Sequence, residues 1–191
     1  MFSYFYCLIY KNVSKHLIVI TGGPGTGKTT LINALLDKGF NCFPEISREI
    51  TQKAKEQGIS QLFLKNPVLF SQLILEGRKK QYEEALNATN EIVFLDRGIP
   101  DVLAYLNYIG DSYPSVFDQA CREHRYESVF LLPPWEAIYS SDEHRYENFE
   151  QAKLIYNHLN ETYQNFGYQP IEVPQDTVAN RILYILDKIS T

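Results

Sequence analysis

A chain of 191 residues with 45% hydrophobic side chains is long enough to bury one sizeable core and short for two, so a single domain is expected. A formal net charge of −5 argues against the clustered cationic surface that nucleic acid or an anionic membrane requires, which leaves small molecules as the expected partners. The three cysteines, Cys7, Cys42 and Cys121, form no C-x-x-C pair; neither a disulfide framework nor a zinc site is indicated, and buried thiols in a reducing cytoplasm are expected.

Residues 1–15 begin with an apolar, aromatic stretch that lacks the positive n-region of a signal peptide and is too short to span a bilayer. They read as an N-terminal extension to a domain covering residues 16–191. The unbroken apolar runs Leu17 to Ile20, Ile92 to Leu95 and Val129 to Leu132 predict strands buried on both faces, as in a parallel sheet covered by helices. Asn41 to Phe43 and Ile171 to Val173 are weaker strands that bring the sheet to five. Between them, helices are expected over Lys28 to Lys38, stopped by Gly39, and over Glu45 to Gln57, stopped by Gly58. Further helices follow from Pro67 to Ala88, from Pro100 to Ile109 before Gly110, and from Pro114 to His124. From Asp142 to Phe166 the residues Phe149, Ala152, Tyr156, Leu159, Tyr163 and Phe166 draw one apolar stripe, and Val178, Ile182, Ile185 and Ile189 do so for a last helix. Strand and helix alternate throughout, which predicts an α/β three-layer sandwich around a five-stranded parallel sheet.

Between the first strand and the first helix lies Gly22-Gly23-Pro24-Gly25-Thr26-Gly27-Lys28-Thr29, which satisfies G-x-x-x-x-G-K-[ST]. Its glycines let successive amides line a concave anion nest, and the helix that follows adds the positive end of its dipole. This predicts ATP as ligand, with Lys28 reaching the β- and γ-phosphates, Thr29 holding Mg²⁺, and Thr30 completing the nucleotide-binding set.

Ligands of such sheets bind beyond the carboxyl ends of the strands, so the residues after each apolar run carry the remaining expectations. Asp96 of Asp96-Arg97-Gly98 is placed to hold Mg²⁺ directly or through water, and Arg97 to grip a phosphoryl group or the acceptor. After the second strand, Glu45 of Pro44-Glu45 is read either as a general base facing the γ-phosphate or as a carboxylate favoured at a helix start. Arg48, a turn on, is a candidate for acceptor binding. After the fourth strand, Pro133-Pro134-Trp135-Glu136 and the polar segment from Ser140 to Arg145 suggest a lid over about residues 133–148, with Arg145 either closing on the phosphate or solvated. Trp135 reads as a base-stacking or an edge-packing residue. The four histidines show no metal-ligand spacing.

The order of the phosphate loop, Pro44-Glu45, Asp96-Arg97-Gly98 and a segment after Leu132 resembles the P-loop nucleoside and nucleotide kinases. More closely, it is similar to the AAA-type "predicted ATPase" family related to the kinase domain of the bacterial nicotinamide-riboside kinase. The resemblance runs from about Lys15 to Ile189 and implies a helical lid. In deoxynucleoside kinases an acid-proline pair supplies the base, and an acid-Arg-Ser motif supplies a metal contact and a phosphate-binding arginine; here the order is Pro44-Glu45 and the second motif ends in Gly98. The glutamine that reads the base in those enzymes is not carried onto Gln72, whose distance to Arg78 is one residue off the family spacing.

The expectation is a Mg²⁺-dependent kinase that transfers the γ-phosphoryl of ATP to a small nucleoside-like or nucleotide-like acceptor. Its catalytic set is Lys28, Glu45, Asp96, Arg97 and Arg145, with Thr29 and Asp96 at the metal. The alternative is a regulatory ATPase or nucleotide switch acting through a protein partner, and a third reading is a toxin-like kinase that modifies a nucleotide sugar.

Overall fold

In the computed structural model, which describes residues 15–56, 58–59, 62–139 and 147–190, five parallel strands form one sheet in the order β2-β3-β1-β4-β5. They are β1 (His16–Gly22), β2 (Asn41–Phe43), β3 (Ile92–Asp96), β4 (Ser128–Leu132) and β5 (Ile171–Glu172). The helices are α1 (Lys28–Asp37), α2 (Ser47–Glu56), α3 (Leu62–Lys65), α4 (Pro67–Leu86), α5 (Pro100–Ile109), α6 (Val116–Glu123), α7 (Phe149–Asn165) and α8 (Val178–Ile189).

The period of two along the strands sorts the core into two layers. Ile18, Ile20, Phe94, Phe130 and Leu132 pack with Leu31 and Leu35 of α1 and with Ile182 and Ile185 of α8. Their neighbours Leu17, Val19, Val93, Leu95, Val129 and Leu131 face the other way, onto Ala104 of α5 and Leu159 and Tyr163 of α7. Each such side chain contributes about 1.5–3 kcal/mol by leaving water. A satellite core joins Ile74 and Leu75 of α4 to Leu103 and Leu106 of α5 and to Phe117 of α6.

Register then brings four strand ends together. Ile20 lies opposite Asp96, Gly22 opposite Leu132, and Phe43 opposite Leu95. The turns after β1, β2 and β3 therefore open on one cleft, at the point where the strand order reverses about β1.

Several boundaries differ from the sequence expectation. Glu45 does not start a helix: it stays in the β2–α2 turn, where its carboxylate accepts the Ser47 amide at 3.1 Å, and α2 begins at Ser47. The helix expected from Asp142 begins at Phe149, because Asn148 and Gln151 form a reciprocal capping box there. The short helix predicted from Pro114 begins at Val116, and β5 ends at Glu172, although the Val173 amide still donates to Leu131. Helix α3 and a 3₁₀ turn at Glu136–Ile138 were not predicted. That turn is the one helical piece among the described residues of the segment expected as a helical lid. Arg145 and Cys7 lie outside the described residues, whereas Cys42 and Cys121 are buried thiols. Among the described residues no helix is long and apolar enough to cross a membrane.

Candidate active site

The loop between β1 and α1 is built mostly from backbone. Gly25 and Gly27 adopt φ of +73° and +79°, which side-chain-bearing residues avoid. A Cβ on Gly25 would come within 2.5 Å of the Tyr139 ring, and one on Gly22 within 2.8 Å of the Leu132 carbonyl oxygen. Thr26 staples the turn by donating its hydroxyl to the Gly23 carbonyl at 3.0 Å. Helix α1 starts with no side-chain cap, so its first amides are left for a ligand. Thr29 and Thr30 are exposed on that first turn. Tyr139 in turn donates its hydroxyl to the carbonyl of Glu147 and sets its ring edge-on to Phe149.

Lys28 and Asp96 face each other at the back of the cleft, Nζ to Oδ1, at 3.7 Å. Burial pushes the Lys28 ammonium below its usual range, the Arg97 cation adds to that, and Asp96, Glu45 and Asp101 oppose it. Asp96 is 5% exposed and its Oδ1 is buried without a hydrogen-bond partner. Asp96 Oδ1, which faces Lys28 and accepts no hydrogen bond, and a threonine hydroxyl on the first turn of α1 are the oxygen chemistry that suits Mg²⁺, which takes one or two protein oxygens and fills its octahedron with water and phosphate. Among the described residues no cluster of three or more His, Cys, Asp or Glu forms a metal cage, so Asp96 and Thr29 are the residues that would hold the ion.

On the β2 and β3 side the site consists of paired side chains. Arg97 Nε meets the Glu45 carboxylate, and Arg78 Nη2 lies 3.3 Å from its other oxygen. Arg97 Nη1 donates to Asp101 Oδ1 at 3.1 Å. Asp101 is buried and also accepts the Thr21 hydroxyl at 2.5 Å, the Gly98 amide at 2.9 Å and the Tyr163 hydroxyl at 2.5 Å. Gly98 has to be glycine, since a Cβ would stand 2.6 Å from the Tyr163 oxygen. Arg97 itself has φ of +75°, the one left-handed non-glycine residue among those described. This strained backbone aims the guanidinium at both carboxylates.

Burial alone would raise the Glu45 carboxyl, but Arg78, Arg97, Lys28 and the Ser47 amide together outweigh it and bring its pKa down to about 2. Arg97 is pushed the opposite way to its burial, upward, by Glu45, Asp101 and Asp96. Counted together, three cations (Lys28, Arg78, Arg97) face three carboxylates (Glu45, Asp96, Asp101), so the cleft is electrically balanced.

Of the residues singled out from sequence, Lys28, Glu45, Asp96 and Arg97 converge here with the phosphate loop. Arg48 is exposed on α2, apart from the ion pairs. Gln72 is exposed on α4. Sequence reasoning missed Arg78 and Asp101, although Asp101 stands four residues after Arg97, the spacing of a helical ion pair. It also missed Arg181. A cavity of about 420 Å³ opens between Gly27 and Thr30 on one side and Trp135, Ile138, Asp176 and Arg181 on the other. Trp135 thus borders the loop, with the Arg181 guanidinium carbon 5.9 Å from its ring centre.

No curated protein sequence matches this chain. Solved structures do match in fold. The deoxyadenosine kinase of M. mycoides, with dCMP and dCDP bound, is 17% identical with a TM-score of 0.67, over 91% of this chain and 98% of that one. The NadR protein in complex with NR is 20% identical with a TM-score of 0.72 over 93% of this chain, which spans only 51% of NadR. The thymidylate kinase of Ehrlichia chaffeensis is 15% identical with a TM-score of 0.61, over 92% and 99% of the two chains. The fold is the one these solved structures share, and a family profile described as AAA domain matches residues 17–181, from the first strand into the last helix; the chain belongs to this AAA domain family.

Proposed function

We propose that this protein is a Mg²⁺-dependent kinase that transfers the γ-phosphoryl group of ATP to a hydroxyl of a small, nucleoside-like acceptor. The carrying observation is the Glu45–Arg97–Asp101 group, held at the mouth of the phosphate loop beside Lys28 and Asp96. A bare ATPase needs to hold only a water there. A carboxylate flanked by two arginines on a separate strand end suits a second substrate that must be aligned in line with the γ-phosphate.

The loop amides and Lys28 bind the polyphosphate. Thr29 and Asp96 would hold Mg²⁺, which would supply positive charge against the polyphosphate. Glu45 accepts a hydrogen bond from the acceptor hydroxyl. As the acceptor oxygen bonds to the γ-phosphorus, the bond to the β–γ bridging oxygen breaks and its electron pair leaves on ADP; the proton passes to Glu45 and then to solvent. With a pKa of about 2, Glu45 is ionised at neutral pH but a weak base, so it takes the proton late, when the new bond has already acidified the hydroxyl. Arg97 lies where it can stabilise the equatorial oxygens of the transferring group. The buried thiols Cys42 and Cys121 suit the cytoplasmic location that belongs to this reading.

The balanced charge of the cleft favours a hydroxyl over a phosphate acceptor, because a monophosphate dianion would have to displace Glu45 or Asp101 to find a cation. The test is ADP release with Mg²⁺ and ATP against nucleosides, nucleoside monophosphates, vitamins and sugars. A nucleoside-like alcohol that raises ADP release and appears as its phosphate ester by mass spectrometry is the expected result. ADP release raised by no small molecule, and raised only by a protein fraction, would overturn it in favour of a nucleotide switch.

A further inference from the structure

Arg181, on α8, is 2% exposed, and among the described residues no carboxylate pairs with it. Burial accordingly holds its guanidinium below the usual range, with no opposing charge. Nη2 donates to the backbone carbonyl of Thr26 at 3.1 Å, while Nε is buried without a partner. A cation removed from water without an anion is costly, and apolar side chains of similar volume fill such places at no loss of stability. The three cations of the cleft, Lys28, Arg78 and Arg97, each have a carboxylate. Arg181 stands apart, and it stands against the back of the phosphate loop. The absence of a side chain at Gly27 makes room for it, since a Cβ there would lie 3.1 Å from Nη1.

In a trans peptide the carbonyl oxygen and the following amide hydrogen point in opposite directions. Fixing the Thr26 carbonyl toward α8 therefore turns the Gly27 N–H away from α8, to the concave side of the loop. We infer that Arg181 is a positioning residue for a nucleoside di- or triphosphate: it clamps the outer carbonyl of the Thr26–Gly27 peptide so that the Gly27 amide meets the polyphosphate, and its unpaired cation adds positive field behind the nest. The inference rests on the reading of residues 22–29 as a polyphosphate site, and not on the identity of any acceptor. It also gives α8 a part in the site that the sequence pattern, an apolar stripe with an arginine inside it, did not suggest.

The test is calorimetric affinity of the full chain for ATP, ADP, AMP and adenosine with Mg²⁺, together with melting temperature, for Arg181→Met and Arg181→Lys. Arg181→Met is expected to weaken ATP and ADP by about 10- to 100-fold, the worth of one charge-assisted contact, and to leave adenosine within about twofold. Its melting temperature is expected to be unchanged or raised, whereas an arginine kept only for structure would lower it. Arg181→Lys, which keeps a cation and a donor for Thr26, is expected to recover most of the loss and serves as the second probe if the methionine variant folds poorly. Equal loss for adenosine and ATP, or unchanged ATP affinity in both variants, would overturn the inference. A wild-type chain that binds neither ATP nor ADP would overturn it together with the loop reading. Binding without transfer to any acceptor would sink the kinase proposal alone, because the affinities of the variants still decide this one.

Discussion

The two halves of the cleft are made of different material. On the phosphate-loop side, the donor side of the proposed reaction, the groups open to a ligand are backbone amides, held open by glycines at positive φ and by an uncapped helix start. On the acceptor side they are side chains that already satisfy one another, Arg78 and Arg97 on Glu45, and Arg97, Thr21, Gly98 and Tyr163 on Asp101. A backbone nest is ready for its anion before the anion arrives, whereas a side-chain network must exchange partners to admit a substrate. Substitutions should therefore act on affinity on the first side and on stability and rate on the second.

The sharpest break of that contrast is Asp101→Ala. It leaves Arg97 half paired and the Thr21, Gly98 and Tyr163 donors unsatisfied in a dry interior, so a loss of about 3–5 kcal/mol is expected in denaturant unfolding. ATP affinity of the folded fraction should change little; a large affinity loss at normal stability would erase the distinction between the two sides.

Glu45→Gln comes next. It keeps shape and removes the charge, and should slow transfer to a hydroxyl acceptor by about 10²- to 10⁴-fold while sparing ATP binding, as single-turnover rates and calorimetry would report. Its ion pairs also set a pH dependence. The folded carboxyl is depressed from 4.5 to about 2, so its stabilisation is full above pH 4.5 and is lost as the pH falls toward 2, with a slope of up to about 1.4 kcal/mol per unit that the Gln variant should lack. An acid-unfolding curve with the same slope in both proteins would contradict this.

On the donor side, Lys28→Ala should cost about 1.5–3 kcal/mol of Mg·ATP affinity, since one charge-assisted contact is removed from an otherwise intact nest. Undiminished affinity by calorimetry would remove Lys28 from the phosphates. The smallest effect separates two variants at one position. Both Arg97→Ala and Arg97→Gly lose the guanidinium, but only glycine accepts φ of +75° without strain, so Arg97→Gly should be the more stable by about 1 kcal/mol. Equal midpoints would show that the left-handed turn relaxes once the side chain is gone.

The same contrast explains what the sequence disclosed. The donor side is local: eight consecutive residues after an apolar run carry its geometry, and the three central strands were legible because burial on both faces leaves unbroken aliphatic runs. The acceptor side is assembled from residues far apart in the chain. Arg78 sits in the basic run Gly77-Arg78-Lys79-Lys80 on α4, yet its side chain is buried against Glu45 and the Gly98 carbonyl, partners far from it in sequence. Asp101 follows a proline and looks like an ordinary first-turn acid until Tyr163, from α7, is seen to reach it. The start of α7 was misplaced for a related reason: the apolar stripe reports which face is buried, while the start is fixed by Asn148 and Gln151 reaching for each other's amides.

The Tyr139 hydroxyl donates to the Glu147 carbonyl, and the Tyr139 ring lies against the phosphate loop at Gly25. Residues 139 and 147 are thus tied to each other and, through the Tyr139 ring, to Gly25. Any side chain at Gly25 would therefore have to move the Tyr139 ring and with it the bond to Glu147, so the phosphate loop and the entry to α7 are coupled through one tyrosine.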